Sequence, residues 1–434
     1  MTMINAYDGA AAGLSAEDRA LLARRERVLG PAYRLFYETP LHVVRGEGVW
    51  LYDKAGRRYL DAYNNVASVG HSRPEVVEAI AAQAAVLNTH TRYLHEGVVA
   101  YAEALLATFP AELANLMLTC TGSEANDLAL RIARTVTGGR GLIVTELAYH
   151  GVTAAIAGAS PSLGPGNPLG PDVWTVPAPV SPATGADVGR QFADGVSRAL
   201  GDMRAKGVRP AALLVDTIFS SDGVFADPPG FLTEAAGRIR AAGGLFIADE
   251  VQAGFGRVGP QMWGFARHGL VPDIVTMGKP MGNGHPVAGL VVRHEHAAAF
   301  GAAVRYFNTF GGNPVSCAAA MAVLKVIQGE RLAENSGVVG DRLRAGLDAL
   351  RQRHSRVGEV RGAGLFIGVD LERPSGEPAP EAATAVVNHM RDAGVLISAT
   401  GPGGNILKIR PPLVFKPEHA DILLGALSEA LDAI

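Results

Sequence analysis

The sequence predicts an α/β fold, a mostly parallel sheet with helices on both faces, on three observations. Short apolar runs alternate with helical periodicity from about residue 115 to residue 292. The 434-residue chain is 48% hydrophobic and 19% charged, a balance that supports a sizeable core and excludes global disorder. Glycine is abundant, at 53 residues without a collagen period, which fits many tight turns between the runs.

The elements follow in order. Residues 14–29 read as an amphipathic helix capped by Ser15, with Asp18 three residues on. Val43-Val44, then 49–52, a turn at 53–56, and 58–60 read as a small antiparallel unit. Helices are expected over 74–87 and 98–109 by apolar period. The alternation then begins: strand 116–119, helix 125–135, and strands 141–145, 211–216, 245–248, 274–276 and 287–292. The Pro-, Gly- and Ser-rich stretch 160–190 reads as a long surface excursion. An apolar helix over 317–328 leads out of the sheet, and beyond 330 helices alternate with short strands such as 364–369 and 406–409. The expected organisation is an N-terminal segment 1–60 packing with the small domain, a large domain 61–317, and a smaller α/β domain 318–434.

Composition narrows the function. Thirty-nine Lys and Arg against 42 Asp and Glu give a formal charge of −3, so no basic excess tracks a nucleic acid. Cys120 and Cys317 are the only cysteines, which fits a reducing compartment rather than a disulfide framework. No apolar stretch is long enough to span a bilayer and no signal peptide is evident; a cytoplasmic location without membrane or nucleic-acid partners is expected. His294 and His296 lack the Cys or carboxylate company of a metal site, and no Gly-x-Ser-x-Gly elbow serves acyl chemistry.

Five segments are candidates for chemistry. Thr121-Gly122-Ser123-Glu124 follows a strand and opens a helix; free N–H groups and a hydroxyl there suit a phosphate, though they would equally make an ordinary cap. Asp249 and Glu250 end a buried strand, where open α/β sheets bind ligands and where a carboxylate needs a cationic or N–H partner. Gly254-Phe255-Gly256-Arg257-Val258-Gly259 matches the dinucleotide fingerprint in letters, but Pro260 follows and no helix opens. Lys279 stands just after a strand amid Gly and Pro, as a Schiff-base amine would, or as a solvated loop residue. Phe307 to Pro314 forms another Gly-rich helix entrance. A helix start for phosphate, an Asp for a pyridine nitrogen and a Lys for an aldehyde are together the handles of pyridoxal phosphate.

In their order and spacing these motifs resemble the class III aminotransferases, from about residue 40 to residue 427. The resemblance rests on 121–126, Tyr149-His150-Gly151, 248–252, Gly278-Lys279-Pro280 and 309–314. It implies the fold-type I architecture, with a mostly parallel seven-stranded sheet in the large domain, and pyridoxal 5′-phosphate as cofactor. It implies that Lys279 binds the cofactor covalently and moves the substrate proton. Asp249 is expected at the pyridine nitrogen, Tyr149 on the ring face, Gln252 at the ring hydroxyl, and Gly122 and Ser123 at the phosphate. Thr309 is expected at the cofactor phosphate of a neighbouring subunit, which implies a homodimer.

Many members place an Arg three residues before Pro-Pro to grip a carboxylate; here Lys408 stands there and Arg410 two residues later. With 64–71, 91–95 and 275–288 this resembles the ethanolamine-phosphate and phosphohydroxylysine phospho-lyase branch. The expected reaction is β-elimination of phosphate from a small amino-phosphate, with Lys408 at the substrate phosphate assisted by Arg267 or Arg410. An ω-aminotransferase using pyruvate or glyoxylate is the alternative, and an NAD-dependent Rossmann dehydrogenase the alternative from another class. Asp216, shorter than the Glu that the family usually has there, weakens any inference about a carboxylate gate.

Overall fold

The computed structural model describes residues 4–9, 13–180 and 187–434. The parts of the N-terminal segment and of the excursion at 1–3, 10–12 and 181–186 lie outside the described residues.

A seven-stranded sheet forms the centre, in the order Asn115–Thr119, Ala288–Val292, Ile274–Met277, Leu245–Asp249, Pro210–Asp216, Gly141–Thr145, Val173–Val176. Five neighbouring strands run parallel, and Ala288–Val292 runs antiparallel to both its neighbours. The four central parallel strands are buried almost throughout, as strands covered on both faces must be. Val173–Val176 lies in the stretch expected to be a surface excursion. It is the edge strand instead; its apolar side chains pack on the sheet while an edge position tolerates the partly exposed Trp174 and Thr175.

The helix Gly122–Thr137 begins three residues before its expected start, because Thr121 caps it. Its hydroxyl accepts from Glu124 N at 3.2 Å, and Glu124 reaches back to Thr121 N at 2.9 Å, a reciprocal capping box. The Ser15 cap is also formed, on the helix Ala16–Leu29.

Two smaller sheets flank the centre. Val43–Glu47, Trp50–Asp53 and Arg58–Asp61 are joined by the distant strand Val395–Leu396, parallel to Arg58–Asp61. The other sheet runs Val357–Ala363, Phe366–Leu371, Ile406–Ile409, Ser398–Thr400. The strand expected over 364–369 therefore starts later, because Gly364 turns the chain with φ 52°. Among the described residues no helix is long and apolar enough to cross a membrane, and no His, Cys, Asp and Glu group is arranged for a metal.

Candidate active site

Parallel register brings Asp216, Asp249 and Thr276 side by side at the carboxyl edge of the sheet. Such an edge gathers strand ends and helix N-termini at one place. Lys279, on the 3₁₀ turn Lys279–Gly282, follows the strand Ile274–Met277. The preceding Gly278 lets the backbones nearly touch: a methyl group at its Cα would lie 3.4 Å from Gly122 Cα. The Lys279 turn and the helix start are thus neighbours.

Asp249 is held by three donors. Asn126 Nδ2 donates to Oδ2 at 2.9 Å, His150 Nδ1 to the same oxygen at 2.7 Å, and Val251 N to Oδ1 at 3.0 Å. Asn126 is itself oriented by Thr276 Oγ1 (2.6 Å) and donates also to the His150 carbonyl (2.8 Å). The carboxylate is thereby aimed and cannot rotate freely. Its chain neighbour Glu250 points the other way. Thr217 Oγ1, Gly264 N and Phe265 N donate to it at 2.7 Å each, yet burial pushes its carboxyl up to about 7. One of the two strand-end carboxylates serves the cavity; the other clamps a loop.

Gly122, Ser123, Asn126, Tyr149, His150, Gly151, Asp249, Val251, Gln252 and Lys279 line one cavity, so six of the expected cofactor residues come together. The capping and phosphate readings of 121–124 turn out to be divided between residues. Thr121 and Glu124 make the cap, while the N–H groups of Gly122 and Ser123 meet no backbone partner among the described residues. Ser123 Oγ accepts from Val152 N at 3.1 Å. Burial, followed by the field of Arg410, lowers the basicity of Lys279, against the pull of Asp249 and Asp216. Among the described residues no carboxylate pairs with its amine. Burial and Asp249 raise the Tyr149 hydroxyl. Free N–H groups at a helix start, a three-donor carboxylate and an unpaired buried amine fit the phosphate, ring nitrogen and aldehyde of pyridoxal phosphate.

Gln252 departs from its expected role in part. Its Oε1 accepts from Asn65 Nδ2 and from Arg410 Nη1, each at 2.7 Å, so its amide group alone is left for a ligand. Lys408 and Arg410 are both buried. Arg410 packs 4.6 Å over the Tyr63 ring. Burial first, then Arg410 and Lys279, holds Lys408 well below its ordinary value, against Asp216 and Asp222. Lys408 lies on the strand Ile406–Ile409, two residues before Arg410. Arg267 is not brought there: it pairs with Asp227 at 2.8 Å on the short helix Gly264–His268. Asp216 is engaged in its own turn, accepting from Ile218 N and Ser220 N. Thr309 is exposed on its loop beside Phe310, itself 70% exposed.

The Gly254–Gly259 glycines form a turn from which no helix opens directly, the short 3₁₀ turn Gly264–His268 starting only after Pro260 and Trp263. That removes the N-terminus a dinucleotide pyrophosphate requires and with it the dehydrogenase alternative. Trp263 packs in the core against Phe109 and Phe255. His294 opens the helix His294–Ala303 and bonds the Asn115 side chain on the surface at 3.0 Å. Sequence reasoning missed Asn126, His150 and Asn65. Asn126 sits one helical turn beyond Gly122, and His150 follows Tyr149; both belong to motifs that were noticed without an assigned role.

The family Aminotransferase class-III matches residues 35–431. A Drosophila melanogaster relative named alanine–glyoxylate aminotransferase 2-like is 42% identical over 94% of this chain and 86% of its own. A Caenorhabditis elegans relative named ethanolamine-phosphate phospho-lyase homolog 1 is 38% identical over 95% and 93%. A solved phospholyase from Arthrobacter in complex with phosphoethanolamine is 47% identical, with TM-score 0.93, covering 95% of this chain and all of that one.

Proposed function

The chain belongs to the class III aminotransferase family of pyridoxal 5′-phosphate enzymes, and on that premise we propose that it is a phospho-lyase, eliminating phosphate from ethanolamine phosphate or a similar small amino-phosphate. One observation carries the reading. Lys408 and Arg410 are buried two residues apart, Arg410 bonds Gln252 at the cavity that Lys279 lines, and among the described residues neither cation pairs with a carboxylate. Burying unpaired basic groups is costly, so a fold that keeps two of them, with Arg410 bonded to the cavity-lining Gln252, is prepared for an anion that arrives with the substrate and favours the charge of both. A phosphate dianion matches two cations better than a carboxylate does. The relatives named for phosphoethanolamine chemistry support the same choice.

Gly122 and Ser123 would hold the cofactor phosphate, Asp249 the pyridine nitrogen, Tyr149 the ring face, the Gln252 amide the ring hydroxyl and Lys279 the aldehyde carbon. When bound, the cofactor supplies an electron sink for the carbon beside the substrate nitrogen. Lys279 takes the proton from that carbon. Its lowered basicity brings it toward the working range of a general base. Lys408 and Arg410 hold the substrate phosphate, and the neighbouring C–O bond breaks with its electron pair leaving on phosphate oxygen, where the two cations stabilise the charge. Asn126 and His150 keep Asp249 aimed throughout. Ethanolamine phosphate and one water give acetaldehyde, ammonium and inorganic phosphate.

The deciding experiment mixes enzyme and ethanolamine phosphate without a keto acid. Inorganic phosphate and acetaldehyde in equal amounts are expected. No phosphate release, together with brisk amine transfer to pyruvate or glyoxylate, would replace this reading by the ω-aminotransferase, which the 42% identical Drosophila relative favours by its name. The exposed Thr309 and Phe310, with Tyr93 and Leu94 also exposed, support a homodimer in which Thr309 reaches the other subunit's cofactor phosphate.

A further inference from the structure

Arg257 lies in the Gly254–Gly259 turn, and no role in the proposed reaction uses it. Its side chain is buried, with the residue 2% exposed. Among the described residues no carboxylate pairs with it. Instead Nη1 donates to two backbone carbonyls, those of Leu365 at 3.1 Å and of Pro411. Asp61 favours its charge through space, but Asp61 is itself bonded to His71 at 2.7 Å and to two backbone N–H groups. Burial and the nearby Arg410 both oppose the charge. A buried guanidinium held only by carbonyl dipoles is an expensive staple if stapling is its sole task, since a neutral donor would make such bonds without the desolvation cost.

The position of its bonds gives the charge a use. Pro411 follows Arg410 directly, so the carbonyl that Arg257 grips belongs to the residue next to the substrate-facing cation. Arg410 is thereby fixed from two sides, by Arg257 through Pro411 and by Gln252 at its guanidinium. The mutual repulsion of Arg257 and Arg410 means that an arriving anion is attracted by both. We propose that Arg257 is a positioning residue for the anionic end of the substrate: it fixes the backbone at Pro411, the residue after Arg410, and adds positive potential behind Arg410. This rests on the reading above only in that the substrate anion meets Arg410.

The test compares holoenzymes carrying Arg257→Met, Arg257→Lys and Ser336→Ala with the parent. Ser336 Oγ donates to the Arg257 carbonyl at 2.7 Å and accepts from Leu365 N at 3.0 Å, so its removal loosens the same seam without touching the charge. The readouts are the Kd for inorganic phosphate by calorimetry, the binding of ethanolamine phosphate and of neutral n-propylamine followed by the cofactor's absorbance, and Tm. Arg257→Met should weaken inorganic phosphate and ethanolamine phosphate roughly tenfold and leave n-propylamine within about twofold. Arg257→Lys should recover most of the loss. Ser336→Ala should lower Tm with the anionic-to-neutral preference unchanged. Equal weakening of all three ligands in Arg257→Met, or a Ser336→Ala variant that copies its selectivity, would overturn the proposal. If the Met variant does not fold, the Lys variant decides: an unchanged preference with two bonds still possible leaves the charge sufficient, while a shift as large for the neutral amine as for the phosphate overturns it. None of these readouts depends on whether phosphate is eliminated, so a failed lyase assay and a failed Arg257 are told apart.

Discussion

Replacing His150 with phenylalanine removes one of three donors to Asp249 and little else. The ring is fully enclosed, and its Nε2 has no partner among the described residues, so an aromatic ring of similar size loses nothing on that edge. What disappears is the 2.7 Å bond to Oδ2. A hydrogen bond to a charged group is worth about 1.5–3 kcal/mol, and about 1.4 kcal/mol is a decade in rate. If that bond serves to hold Asp249 against the cofactor ring, the single-turnover rate constant at saturating amine should fall roughly 10- to 100-fold. Asn126 and Val251 N should still keep the carboxylate in place, so the cofactor should remain bound. His150→Asn restores an N–H near the position of Nδ1 and should recover most of the activity. The assay is single-turnover reaction of the loaded enzyme with a saturating amine, with cofactor content measured in parallel. A Phe variant within about twofold of the parent at full cofactor content, or an Asn variant as impaired as Phe, would refute the holding role.

Gly151→Ala should empty the site: φ is 138°, and the added methyl would sit 2.7 Å from Ser123 Cα; cofactor affinity should fall at least about tenfold, read by equilibrium dialysis, and normal retention would contradict the proposed cradle. Glu250→Gln should flatten the pH dependence of stability. The folded-state carboxyl is raised from 4.5 to about 7, so the folded protein holds that proton more tightly; stability from this group is complete below about 4.5 and is lost as pH rises to about 7, a span of about 3 kcal/mol. Tm measured across that interval should fall less steeply in the variant, and parallel curves would argue against the shift. Lys408→Met should raise KM for ethanolamine phosphate by roughly tenfold or more with a smaller change for n-propylamine, and an unchanged KM would remove Lys408 from the anion subsite. Lys279→Ala and Thr309→Ala preparations, each impaired, should regain activity when unfolded and refolded together, because one of the two mixed sites then has both residues intact; no gain on mixing would deny a shared site.

Much of this architecture was legible in the sequence because it is written locally. Apolar runs such as 141–145 and 245–248 are buried strands by their composition, and a helix after the Gly-Ser turn was legible too, although its start at Gly122 is set by the Thr121–Glu124 box. Lys279 stood out because a lysine between a strand and a Gly-Pro turn has little ordinary reason to be there. The edge strand Val173–Val176 escaped because four residues between turns carry no periodicity of their own, and pairing with Gly141–Thr145 supplies the reason they are extended.

The chain alone, then, determined which residues could bind and transfer: their chemical types, their order, and the turns that end each strand. Tertiary structure decided which of them meet. Asp249 and Glu250 are adjacent in sequence, yet strand alternation sends one to the cavity and the other to a loop. His150 reaches Asp249 across 99 positions, and Arg410, not Arg267, is drawn to Gln252. Such choices follow from packing between distant segments, where each buried polar group must find a partner among whatever the fold brings near.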